Sequence, residues 1–145
     1  MILYADSSAL ARAYLADEEE SGELRALLLE SGHAVSTSEL ALIELAGAFR
    51  AAERVGRVPS AAALVAGLDR DLSEEGPVAV IRLRPETVVP RARALVLQHS
   101  LGTLDAMHLA VTLEQLAGLA EDTLFFVTRD EDQAAAARAL GLDVC

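Results

Sequence analysis

The apolar positions of the chain fall into short runs of strand character, separated by longer stretches in which they recur at helical spacing. Ile2 to Ala5 is an apolar run that stops at Asp6, the pattern of a buried strand with a helix directly behind it. Ser21 to Glu30 carries Leu24, Leu27 and Leu28 at helical intervals and breaks at Ser31-Gly32, and Ala34 to Ser36 then reads as a second strand. Thr37 or Ser38 is expected to cap a long helix over Glu39 to Arg54, which Gly56 ends. Ser60 to Leu72 predicts another helix, and the turn Glu74-Glu75-Gly76-Pro77 leads into a third strand, Val78 to Leu83. Pro85 suits the first turn of a helix running to about His99, and Thr103 caps a further helix to about Leu119. Leu124 to Thr128 is a fourth strand, Glu131 to Leu140 a closing helix, and Leu142 to Val144 a short edge strand.

Strands separated by helices predict an α/β sandwich with a parallel sheet, because parallel neighbours need crossover connections. A chain of 145 residues fits one domain, expected to span 1–145, and it shows no linker or repeat. Only 3% of its residues are aromatic, so Leu, Ala and Val must build the core. The single cysteine, Cys145, leaves no intrachain disulfide. The start lacks a basic leader, no run is long enough for a membrane span, and a cytoplasmic setting is expected.

The formal net charge of −11 argues against broad, nonspecific binding of nucleic acid, which ordinarily relies on a basic surface. Acids gathered at a metal site, where a bound cation inverts the local field, would reconcile the charge with a phosphate substrate, as would a basic partner covering the remainder. All 12 basic residues are Arg, which favours forked contacts to phosphate or carboxylate.

Candidate chemistry sits where two strands end on an acid, at Asp6 and Asp130. In an open parallel sheet the ligand site lies beyond the carboxyl ends of the strands, so these two would share one rim. Glu44 stands mid-helix among Leu40, Ala41, Gly47 and Ala48, on a face expected to be buried, where an unpaired carboxylate is costly. Asp105 lies in the first turn of the helix that Thr103 is expected to cap, where a carboxylate also complements the helix dipole. Taken singly, each acid has an ordinary reading as a cap or a paired surface group. Together they form a hard, all-oxygen set suited to Mg2+ or Mn2+, and hydrolysis of a phosphodiester is the chemistry such a site supports.

The blocks ILYADSSAL, SELALIELAGA, LGTLDAMHLA and LFFVTRDEDQAAAARALGLDV resemble, in order, the four acidic motifs of PIN domains, especially the VapC toxins. The resemblance covers nearly the whole chain. It implies a three-layer α/β/α sandwich whose five-stranded parallel sheet runs in the order 3-2-1-4-5. It also implies an endoribonuclease acting on RNA with Mg2+ or Mn2+, a homodimer, and inhibition by a small VapB-type antitoxin. Carried over by motif, Asp6, Glu44 and Asp105 match the first three metal-site acids and Asp130 the more variable fourth, for which Asp132 is the alternative. Ser7 and Thr128 match the hydroxyl residues beside the first and fourth acids, placed to orient water or phosphate.

Two further features have plainer readings. His108, three residues after Asp105, reads as a satisfied structural histidine, and Arg82, Arg84, Arg91 and Arg93 read as a solvated face rather than an RNA or antitoxin contact. Among competing functions, a response-regulator receiver needs a Lys that the chain lacks. A haloacid-dehalogenase-type phosphatase needs Asp-x-Asp, whereas Asp6 precedes Ser7-Ser8. A PIN nuclease that processes RNA without being a toxin, and a non-catalytic module of the same fold, remain as alternatives.

Overall fold

The computed structural model describes residues 1–119 and 123–145. Five strands, β1 (Ile2–Ala5), β2 (Ala34–Ser38), β3 (Val78–Ile81), β4 (Leu124–Val127) and β5 (Asp143–Val144), form one parallel sheet in the order β3-β2-β1-β4-β5. Both the parallel sheet and its order agree with expectation. The helices are α1 (Ser7–Tyr14), α2 (Ser21–Arg25), α3 (Leu40–Arg54), α4 (Ala61–Asp71), α5 (Pro85–Gln98), α6 (Thr103–Val111) and α7 (Glu131–Ala139). α2 and α6 each continue into one wider, π-helical turn, over Ala26–Glu30 and Thr112–Leu116.

The alternation of side chains along β1 explains the layers. Leu3 and Ala5 point to one face and pack with Leu10, Leu24, Leu45, Phe49 and Leu68 from α1 to α4; Tyr4 points to the other and packs with Val88, Leu95, Leu109 and Ala137 from α5 to α7. Connections therefore leave β1 and β4 on opposite faces, the arrangement that in parallel sheets sets the ligand site beyond the carboxyl ends of such neighbours. Asp6 and Thr128 are the first residues beyond those ends.

Several boundaries shift for identifiable reasons. β2 runs through Thr37 and Ser38, because Thr37 donates its hydroxyl to the Ala5 carbonyl across 2.7 Å and is a sheet residue rather than a helix cap. Ser38 does accept the Leu40 amide at 3.0 Å, while Glu39 holds the N-cap position and accepts the Leu83 amide at 3.1 Å. Thr103 is the first helical residue of α6, and Gly102 is its N-cap. β3 stops at Ile81 and β4 at Val127. On α3 the buried stripe is Ala41, Leu45, Phe49 and Ala52, so Glu44 flanks it and Gly47 is exposed. Gly56, at φ 75°, supplies the left-handed residue that ends α3. Among the described residues, no helix is long and apolar enough to cross a membrane.

Candidate active site

Asp6 is the N-cap of α1 and is 2% exposed. Its Oδ1 accepts the Ala9 amide at 3.0 Å, and the Ser8 hydroxyl lies 2.8 Å from Oδ1 and 3.0 Å from Oδ2. Burial raises its carboxyl above the ordinary range despite these donors, the field of His108 and the Thr128 hydroxyl. A carboxylate so placed is poorly compensated by the protein alone.

Asp105, in the first turn of α6, is half-buried, and its carboxyl is also pushed up. Burial is the largest cause, followed by the charges of Asp130 and Asp6; Glu44 adds to them and His108 opposes them. Four acids from the ends of β1 and β4, from α3 and from α6 thus act within one field. Asp130 is the N-cap of α7 and accepts the Gln133 amide at 2.7 Å, whereas Asp132 is exposed on the first turn. Asp130 is the largest of the neighbouring charges that raise the Asp105 carboxyl.

Glu44 has the opposite balance. Burial would raise its carboxyl, but a hydrogen bond and the field from His108, with a hydrogen bond from Ser7, outweigh burial and hold it low. His108 Nε2 is 2.7 Å from Glu44 Oε1, and the Ser7 hydroxyl donates to the same oxygen across 2.8 Å. The other ring nitrogen, Nδ1, is 2.7 Å from the Tyr4 hydroxyl. His108 is indeed a satisfied buried histidine, 1% exposed, but its partner is a candidate site acid. Its spacing from Asp105 put both on one side of a helix, and that was the one signal available in the sequence.

Gln133 was not legible as a site residue. It is wholly buried, its Oε1 lies 2.7 Å from the Thr128 hydroxyl, and its Nε2 donates to the Asp105 carbonyl at 3.2 Å. The spacing Asp130-x-x-Gln133 signals a helix start, but a capping box would turn the glutamine back onto Asp130. Thr128 Oγ1 also lies 3.1 Å from Asp6 Oδ2, so one hydroxyl proton faces two acceptors. Ser7 and Thr128 therefore both bond to acids, Ser7 to Glu44 and Thr128 to Asp6.

As posed, no three His, Cys, Asp or Glu side chains among the described residues close around one point as a ligand set. The acids share a field, while Asp6, Glu44 and Asp130 are each turned toward local donors. The donor chemistry nonetheless fits a hard divalent cation: the groups are carboxylates, and two of them, Asp6 and Asp105, are destabilised in their charged form by burial, with Asp105 also facing the other acids. An open cleft of about 460 Å3 adjoins Asp130 and is lined by Thr128, Arg129, Glu131, Ala134 and Arg138. Arg129 is anchored there by Glu20 at 2.5 Å and by the Thr128 carbonyl at 2.9 Å. Of the arginines around β3 and α5, Arg91 faces Glu114 at 3.7 Å, and Arg82, Arg84 and Arg93 are exposed.

The fold has counterparts among known proteins. VapC20 of Mycobacterium tuberculosis, described as a sarcin-ricin loop cleaving toxin, is 21% identical, with a TM-score of 0.63 over 92% of this chain and 94% of that one. PAE2754 from Pyrobaculum aerophilum is 19% identical, with a TM-score of 0.68 over 99% of this chain and 92% of that one. At these identities the likeness is one of fold. No curated protein matches the chain. The PIN-domain family model matches residues 3–139, and with nearly all of its length accounted for the chain belongs to the PIN-domain family.

Proposed function

We propose that the protein is a Mg2+- or Mn2+-dependent endoribonuclease, the VapC-type toxin of a toxin-antitoxin pair. In this reading a single domain over residues 1–145 works as a homodimer in the cytoplasm and is restrained by a small VapB-type antitoxin. The observation that carries the reading is that Asp6, Glu44 and Asp130 all act on the half-buried Asp105 carboxyl. Membership of the PIN family and the likeness to a toxin that cleaves the sarcin-ricin loop support it.

Asp6 and Asp105 would hold the principal ion, and Glu44 and Asp130 would complete the site or hold a second one. A bound divalent ion there supplies an activated water and stabilises the leaving oxygen of the phosphodiester. Ser8, Thr128 and the Ala9 amide aim the Asp6 carboxylate, and Ser7 and His108 aim that of Glu44. Arg138, exposed beside Asp130, would offer a forked donor to phosphate in a chain whose net charge would otherwise repel it.

The test is incubation of total cellular RNA with purified, antitoxin-free protein in Mg2+, Mn2+ or EDTA, with Asp105→Asn as control. Discrete fragments that vanish with EDTA and with the variant support the nuclease and name its target. Folded protein that cuts nothing with either metal leaves a non-catalytic module.

A further inference from the structure

Tyr4 and Asp6 lie on the same strand end, His108 and Asp105 on the same helix, and Glu44 on a third element. A single chain of hydrogen bonds joins all three. Tyr4 is fully buried, stacked on Phe126 with centroids 5.6 Å apart, and it meets the His108 ring edge-on at 5.9 Å. It is thus a fixed anchor on the central strand. Its hydroxyl lies 2.7 Å from His108 Nδ1, on the side of the ring opposite Glu44. His108 Nε2 lies 2.7 Å from Glu44 Oε1, and a carboxylate oxygen only accepts, so the contact calls for a ring proton on Nε2. A ring protonated on Nε2 satisfies that contact while Nδ1 pairs with Tyr4. Glu44 has three side-chain torsions and is still 21% exposed, so packing alone does not fix it.

We propose that His108, locked by the Tyr4 hydroxyl, is a positioning residue that aims the Glu44 carboxylate into the acid site. It ties α3 to the strand that bears Asp6 and the helix that bears Asp105. This rests on the reading of Glu44 as a metal-site acid. The relay acts through Glu44 and touches neither substrate nor metal.

The experiment is calorimetric titration of Mn2+ into the full chain as wild type and as Tyr4→Phe, His108→Leu, His108→Gln, Glu44→Gln and the double variant Tyr4→Phe/Glu44→Gln. Urea unfolding of each variant gives its folded fraction. Partners that orient a ligating group ordinarily contribute about 10–100-fold in metal affinity, and a loss of that order is expected for Tyr4→Phe and His108→Leu. His108→Gln, whose amide can stand where Nε2 stands, should recover most of it. In the Glu44→Gln background, Tyr4→Phe should cost nothing further. Long-range 15N spectra of histidine-labelled wild type should show the proton on Nε2.

Folded Tyr4→Phe with wild-type Mn2+ affinity, losses that add to those of Glu44→Gln, or a ring with bare Nε2 would each overturn the relay. If Glu44→Gln loses affinity while Tyr4→Phe does not, only the relay falls. If Glu44→Gln binds Mn2+ like wild type, or wild type binds none, the reading of Glu44 falls with it.

Discussion

The side-chain amide of Gln133 donates to the backbone carbonyl of Asp105 across 3.2 Å, joining α7 to the first turn of α6 beneath the acid site. Its carbonyl end meets Thr128 at 2.7 Å, and Thr128 in turn contacts Asp6. One buried glutamine therefore links the segments that carry Asp6, Asp105 and Asp130. Gln133→Met keeps the volume but strands the Asp105 carbonyl and the Thr128 hydroxyl. Leaving buried polar groups unpaired costs about 1–3 kcal/mol, so the urea midpoint should fall with the slope unchanged. An unchanged midpoint would show that water replaces the amide.

Asp105→Asn should stabilise the metal-free protein near neutral pH while abolishing cleavage. Its carboxyl is raised above 3.8 in the folded state by burial and by Asp130 and Asp6. The folded state thus holds the proton more tightly than the unfolded chain. The stability this contributes is complete below the unfolded value and is lost as pH rises through the folded one. The urea midpoint of the variant should therefore gain on wild type as pH rises from 3 toward 7. Saturating Mn2+ should reverse the order, because it binds the wild-type folded state better. Equal midpoints across the series would mean that neither burial nor the other acids raise the Asp105 carboxyl.

Asp130→Asn should weaken Mn2+ binding, and Asp132→Asn should not. Asn caps a helix as well as Asp does, so α7 should start normally in the first variant and the loss would report charge alone. Isothermal titration of the two variants side by side decides it. A larger loss for Asp132→Asn would move the fourth acid two residues along α7.

Phe49→Ala should cost about 3–5 kcal/mol, as expected for a buried ring removed from a packed layer. Phe49 is fully buried and meets Tyr14 edge-on at 5.7 Å, in the layer that supports α3. Urea unfolding measures it. Because Glu44 sits five residues before Phe49, a folded variant should also lose Mn2+ affinity; affinity intact in the folded fraction would show that α3 holds its place without the ring.

The sequence by itself determined the alternation of strands and helices, since periodicity of two or of three to four reports which face of each element is buried. It also singled out Asp6 and Asp130 by their place at strand ends, Glu44 as a carboxylate on a largely apolar helix face, and Asp105 by its place in the third of the four motifs. The helix start near Ser60 was local chemistry and equally legible. What only the tertiary structure decided was which polar side chains face each other. The contacts of Tyr4 with His108, of His108 with Glu44 and of Thr128 with Asp6 span 104, 64 and 122 positions of chain. No local pattern encodes such pairs. Thr37 and Gln133 show the same limit: each carries a plausible capping signal, yet the sheet claims one hydroxyl and the buried space under the site claims the amide. Packing of distant elements settles those choices, because a buried polar atom bonds to whatever partner the fold brings within reach.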